Sequence, residues 1–401
     1  MKKLFLAAAL FLSLGASAQP RGAKGPEAGE TEGYKFTDTK VIPGTSVKNQ
    51  HRSGTCWCYS GISFLENEII KSGGSELDLS EMWIVRSAYY DKAIKYARLH
   101  GHLNLAVGGA FHDVTEMIKK YGIVPQEVYQ GLNYGTDLPV FGEIDSVIKG
   151  YMDAVIKNSN RTLTTAWKAG LNAILDSYFG AMPETFTFEG KEYTPQSYAA
   201  SLPINIDDYI TVSSFTHHPF YSEFVVEVPD NWMWMPSYNL PLDEMMEVID
   251  SAIEAGHSIG WATDVSEQGF SRTKAVAIVP EDDLDNLSGT EAERWGAMTE
   301  AEKSKALYAF DGPIKEKTIT QEMRQEAYDN YQSTDDHGMV IEGIAVDQAG
   351  NPFFKVKNSW AANPPYEGYY YFSRPFVEYK TISIMVNKNV LPKSIKASLG
   401  L

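Results

Sequence analysis

Few residues of this chain can do nucleophilic chemistry: two cysteines, Cys56 and Cys58, both inside the stretch NQHRSGTCWCYS, and eight histidines that could serve a thiol as base. Cysteines at i and i+2 of a helix point to different faces, so a disulfide between them would strain the backbone. After Gly54-Thr55 the residues Trp57, Ile62, Leu65 and Ile69-Ile70 recur at helical spacing, which puts Cys56 at a helix start. A thiol attacks as the thiolate, and a helix N-terminus or a neighbouring imidazolium stabilises that form. Cys58, on another face, reads as a small buried apolar residue. A lone cysteine at a helix start is structural more often than catalytic, so the chemistry depends on its partners. Such a nucleophile needs a base, and the base needs an orienting group. TDDHGMVIEGIA offers His337 at the start of a strand, and FFKVKNSWAANPPYEGYYYF offers Asn358, followed by Ser359 and Trp360. His337 alone would read as a hydrogen-bonded core histidine. Cys56, His337 and Asn358 together offer a nucleophile, a base and an orienting amide.

The run Ser53-Gly54-Thr55-Cys56-Trp57 resembles the Cys-Gly-Ser/Ala-Cys-Trp/Tyr signature of papain-like cysteine peptidases, with serine in place of the disulfide-forming first cysteine. The resemblance implies that Cys56 attacks the scissile carbonyl and forms an acyl-enzyme. Gln50 and the Cys56 backbone N–H would hold the oxyanion. His337 would take the thiol proton and return it to the leaving amine, oriented by Asn358 and shielded by Trp360. Asp336 before the histidine and Gly368-Tyr369 after the tryptophan fit the same pattern. The segment GGAFHDVTEMIKKYGIVP resembles the wall of the family's cleft. By that match Gly109 pairs with the substrate main chain, Gly108 shapes the turn and Trp57 lies at the binding site.

The interval from Cys56 to His337 is about twice the roughly 130–150 residues of papain-type enzymes. That insertion, with RQEAYDNYQSTDDHGM, is similar to the bleomycin hydrolase and bacterial aminopeptidase C branch. The match is good over residues 40–130 and 320–395, loose over 200–260 and slight over 140–200. The branch implies an α+β fold with a helical left lobe, an antiparallel β-sheet right lobe and an inserted helical subdomain. It also implies peptide substrates, no cofactor and a hexameric homo-oligomer. Two features depart from it. The chain ends in MVNKNVLPKSIKASLGL, short of the arm whose terminal carboxylate restricts the branch to aminopeptidase action, and Ala361 stands where glycine usually follows the tryptophan. Alternative expectations are therefore endopeptidase action, a thiol-dependent amidase or acyl-transferase using the same residues, or a peptide-binding module without catalysis.

The elements that must position these residues can be read along the chain. Lys2-Lys3, the apolar run Leu4 to Leu14 and Ala16-Ser17-Ala18 read as a signal peptide over 1–18, cleaved near Ala18, so the protein is expected to be exported, periplasmic or secreted. Residues 19–39, rich in Gly, Pro and charge, read as a flexible lead-in that is too short for an inhibitory domain. Residues 40–135 form a helical lobe, with Ser80 as an N-cap and Gly122 as a stop signal. Residues 136–200 repeat apolar residues at helical spacing and form the inserted subdomain. Residues 201–401 end in strand-rich runs punctuated by Gly and Pro and form the β-rich lobe that carries His337 and Asn358.

Composition excludes other classes. A formal charge of −17 repels phosphate backbones, so nucleic acid is not an expected partner. No stretch after the leader reaches the roughly 18 apolar residues of a spanning helix, so membrane insertion is not expected. Two cysteines make no disulfide scaffold, and the core of a chain with 43% hydrophobic residues must supply the stability. His100/His102 and His217-His218 have no ligand spacing around them, so no metal site is expected.

Overall fold

The computed structural model describes residues 33–281 and 297–401. The expected leader and the acidic stretch 282–296 lie outside the described residues. Strand β1 (Phe36–Val41) precedes five helices: α1 (Cys56–Lys71), α2 (Glu81–Arg98), α3 (Phe111–Tyr121), α4 (Gly142–Ile156) and α5 (Ala166–Phe179). Ser80 caps α2, accepting from the Trp83 N–H, and Gly122 closes α3. The apolar stripes of α4 and α5, Ile144, Ile148, Met152, Leu171, Leu175 and Phe179, join the same core as Trp83, Tyr89 and Tyr96 of α2. The Tyr89 and Tyr96 hydroxyls donate to Asp145 and Asp153 of α4. Residues 136–200 thus share one core with the helical lobe.

Then come the hairpin β2 (Phe186–Phe188) and β3 (Lys191–Tyr193), strands β4 (Tyr209–Ser213), β5 (Glu223–Val225) and β6 (Pro236–Asn239), and a long helix, Leu242–Ala255. Strands β7 (Ile259–Thr263), β8 (Phe270–Ser271), β9 (Val276–Ala277), β10 (His337–Asp347), β11 (Pro352–Lys357), β12 (Tyr369–Ser373) and β13 (Thr381–Asn387) complete the second lobe. Its sheet runs β5-β6-β4-β13-β7-β10-β11-β12-β9-β8, with β1 added on β10. Two pairs, β4–β6 and β9–β12, are parallel, and the others in the sheet are antiparallel. Along one edge of β10, β7 pairs with its first half, His337 opposite Thr263, and β1 with its second half; β11 follows the other edge. The lead-in, expected to be flexible to residue 39, is therefore strand from Phe36. The Phe36 ring stacks on Tyr371 at 4.0 Å and meets Phe353 edge-on at 4.9 Å, contacts that a Gly- and charge-rich lead-in does not announce.

Helix α1 lies along β10. The Ser60 hydroxyl donates to the Gly338 carbonyl at 2.6 Å, and a Cβ on Gly338 would stand 3.4 Å from the Trp57 backbone. Further on, Asn67 Nδ2 donates to Glu342 Oε1 at 2.6 Å. Glu342 forms a buried ion pair with Lys357 at 2.6 Å and accepts from the Tyr369 hydroxyl at 3.1 Å. Lys357 Nζ also reaches the Thr45 carbonyl at 2.9 Å. Desolvating both ions is costly, and complete pairing offsets that cost; removing one partner leaves the other charge buried and unpaired. Lys357→Met should therefore lower the unfolding free energy by about 3–5 kcal/mol in a urea titration. An unchanged midpoint would show that Glu342 does not depend on this lysine.

Candidate active site

Gly54, at φ +66°, turns the chain into α1, and a Cβ there would stand 2.7 Å from Val107 Cγ1. The Thr55 hydroxyl pairs with Ser53 Oγ at 2.6 Å instead of capping the helix. Cys56 is thus the first residue of α1, where unpaired backbone N–H groups and the helix dipole favour an anion. The Trp57 indole N–H donates to the Val107 carbonyl at 3.1 Å and ties this start to the Gly108-Gly109 loop. Cys58 is fully buried and its thiol donates to the Glu81 carbonyl at 3.3 Å, so it packs the core, and both cysteines are free.

The β10–β11 pairing brings His337 and Asn358 together. His337 Nε2 lies 2.9 Å from Asn358 Oδ1, and the Ser359 backbone N–H donates to the same oxygen at 2.7 Å. That second donor fixes the amide with its oxygen toward the ring. An amide oxygen only accepts, so Nε2 carries the proton and Nδ1 keeps the lone pair. Trp360 stacks on the imidazole at 4.5 Å, with the Arg272 guanidinium 4.5 Å over the indole. Gln50 is buried behind them: its Oε1 accepts from the Ser359 hydroxyl at 2.6 Å, and its backbone N–H donates to the Ser359 carbonyl at 2.8 Å. The carboxamide nitrogen of Gln50 keeps no partner among the described residues and is free to donate. Ser359 thus holds Gln50, a role whose only trace in the sequence is its place between Asn358 and Trp360.

Cys56, Trp57, Gly109, His337 and Gly338 line one cavity, and Asn358 and Trp360 adjoin it through their contacts with the His337 ring. A Cβ on Gly109 would stand 2.8 Å from the Trp57 ring, while one on Gly108 would overlap the Asp230 carboxylate. Asp336 accepts from the Val265 and Ser266 N–H groups, at 2.9 and 3.2 Å, and from the Ser266 hydroxyl, pinning the loop after β7. Its neighbour Asp335 lines the cavity, as does Asp230. Sequence reading singled out neither; the doubled aspartate before His337 was the available signal for Asp335.

Burial pushes the Cys56 thiol up to about 12, against the pull of backbone hydrogen bonds from Gly338 and Trp57. Burial pushes the His337 imidazole down to about 4, the Asn358 bond opposing and Arg272 assisting. Burial thus favours the neutral thiol and the neutral imidazole in the cavity that they share. Elsewhere, His217 Nε2 lies 3.2 Å from a Glu227 carboxylate oxygen, with His218 beside them. That small exposed cluster arises from a contact between segments, which explains why sequence spacing does not show it.

The Peptidase C1-like family model matches residues 303–400, the segment that contains His337, Asn358 and Trp360. The chain is 21% identical over 393 residues to an aminopeptidase C of Streptococcus thermophilus, covering 86% of this chain and 81% of that one. It is 22% identical over 398 residues to an aminopeptidase C of Lactobacillus delbrueckii subsp. lactis, covering 88% and 81%. Against an aminopeptidase W of the same subspecies the identity is 21% over 389 residues, covering 87% and 82%. A solved structure of PepW from Lactobacillus rhamnosis HN001 (DR20) has the same fold, with a TM-score of 0.68 at 18% identity over 91% of this chain and 84% of that one. Two lobes, a thiol at a helix start, an imidazole opening a strand and relatives along nearly the whole chain converge on one likeness: the chain is similar to the papain-like cysteine peptidases of the bleomycin hydrolase and aminopeptidase C branch.

Proposed function

We propose that the protein is a cysteine aminopeptidase, releasing residues from the free N-terminus of peptides through an acyl-enzyme on Cys56. The observation that carries this reading is the His337 Nε2 to Asn358 Oδ1 bond of 2.9 Å, which leaves Nδ1 as the base beside a cavity shared with Cys56. In this mechanism Nδ1 takes the thiol proton as Cys56 Sγ attacks the carbonyl carbon. The oxyanion receives Gln50 Nε2 and the Cys56 backbone N–H. The proton then passes to the departing amine, and water activated by the same imidazole hydrolyses the thioester. The aminopeptidase names of the relatives support end-specific cleavage. The signal-like pattern over residues 1–18 supports export to the periplasm or medium.

One observation favours a second reading, cleavage of internal bonds. Among residues 388–401, Ile395 packs into the core shared with the helix Leu242–Ala255, the Leu401 N–H donates to the Lys396 carbonyl at 3.1 Å, and none lines the Cys56 cavity.

Matched fluorogenic amides with free and acetylated N-termini separate the two under reducing conditions. The free-amine series should be cleaved about tenfold or more faster in kcat/KM, with all turnover lost in Cys56→Ala. Comparable cleavage of the acetylated series would establish the endopeptidase reading, and turnover that survives Cys56→Ala would sink both.

Removing the base should expose the raised thiol. In His337→Ala, alkylation of Cys56 by iodoacetamide at pH 7 should slow at least about tenfold and keep rising with pH, without levelling off near about 8.5 as an exposed thiol does. Labelling as fast as in the parent at pH 7 would remove His337 from the role of base. Ser359→Ala should lower kcat by about tenfold with KM little changed, short of the roughly 10²–10³-fold loss of an oxyanion donor itself; a change in KM alone would contradict the placement of Gln50 through Ser359.

A further inference from the structure

The cavity beside Cys56 has a one-sided charge. Its lining includes the carboxylates of Asp230, Asp335 and Asp336 and the imidazoles of His112 and His337, but no lysine or arginine. Apolar walls from Trp57, Phe111, Val226, Val228 and Ile382 surround them. Asp336 is committed to the loop after β7. Asp230 accepts from Asn104 Nδ2 at 3.1 Å through Oδ1, and its other oxygen has no partner among the described residues. Asp335 has neither a hydrogen-bond nor an ion-pair partner there. Lys92 offsets part of the burial that raises Asp230, whereas no cation acts on Asp335, and a carboxylate facing an apolar space without one needs a proton or a cation. Consistent with that, burial raises Asp335 to about 8, with Asp230 the largest neighbouring charge acting on it.

The histidine beside these carboxylates adds no positive charge. His112 is 8% exposed and lines the cavity, and its Nε2 lies 3.3 Å from the Asp113 carboxylate. Burial holds this ring neutral, lowering it to about 4. A cationic nitrogen bearing several N–H groups supplies what the carboxylates lack.

Substrate geometry says where such a nitrogen would sit. If the first residue of a peptide is the one released, its α-nitrogen lies about 2.5 Å from the carbonyl carbon that the thiol attacks, since only Cα intervenes. The group that holds it must then lie in the same cavity as the thiol. The C-terminal residues 388–401 are not in that wall, and Asp230 and Asp335 are.

We propose that Asp230 and Asp335 form a binding site for a substrate ammonium group, the free α-amine of the N-terminal residue, beside Cys56. This inference rests on the aminopeptidase reading for the source of the amine. It makes Gly108 a second requirement of specificity, because a side chain there would displace Asp230.

The test is equilibrium binding to the full chain carrying Cys56→Ala, by calorimetry at pH 7, with Leu-Ala-Ala, N-acetyl-Leu-Ala-Ala and N-acetyl-Lys-Ala-Ala. The free-amine peptide should bind about tenfold or more tighter than its acetylated form, and Asp335→Asn with Asp230→Asn should shrink that ratio to about threefold or less. If N-acetyl-Lys-Ala-Ala binds as tightly as the free-amine peptide, the site stands but takes a side-chain ammonium. Equal binding of free and acetylated leucyl peptides overturns the inference without any carboxylate variant, so loss of folding in the double variant cannot hide the answer. A preference that survives both substitutions also overturns it. Turnover is not needed for this readout. A preference for the free amine in a protein whose Cys56 form hydrolyses none of these peptides would keep the site and discard the aminopeptidase reading.

Discussion

The contact between α1 and β10 is the constraint on which the site depends. It joins a helix that begins at Cys56 to a strand that begins at His337, across most of the chain. The Ser60 hydroxyl bond to the Gly338 carbonyl locks one end. At the far end the buried Asn67, Glu342 and Lys357 cluster locks the other. A base works on a thiol only within hydrogen-bond reach, about 2.6–3.2 Å, so two elements that slid past each other by a fraction of a turn would lose the chemistry. Polar locks at both ends specify the register of the contact, where apolar packing alone would tolerate slippage.

Behind that contact, one short segment carries several tasks at once. Asn358 fixes the imidazole tautomer, Ser359 aims Gln50 and holds the Asn358 amide through its N–H, and Trp360 stacks over the ring. Because these residues are consecutive and follow β11 directly, the pairing of β11 with β10 places all of them together. Burial then sets the electrostatics: it disfavours a lone thiolate and a lone imidazolium alike, so charge is expected to form as a pair, with reaction.

Much of the fold was legible from local chemistry. The N-cap at Ser80, the glycine stop at Gly122 and the strand-rich runs of β10 to β13 all act within a few residues of themselves. What was not legible came from contacts distant in the chain. β1 is a strand because Phe36 finds Tyr371 and Phe353, and nothing in its own six residues specifies those partners. The stripes of α4 and α5 declared an apolar face without saying what would cover it, and α2 covers it. The two-residue strands β8 and β9 are too short to carry a period.

The sequence by itself determined which residue types are present and in what order: a thiol after Gly54-Thr55, an imidazole opening a strand, and an amide followed by serine and tryptophan. Those are statements about neighbours in the chain, where backbone geometry rules. Tertiary structure alone decided that Asp336 spends its carboxylate on the loop after β7 while Asp335 lines the Cys56 cavity with no hydrogen-bond partner among the described residues, that Asp230 rests on Gly108, and that Ser359 steadies Gln50. These are contacts between segments distant in the chain, and local backbone geometry does not specify which distant segment a side chain will meet.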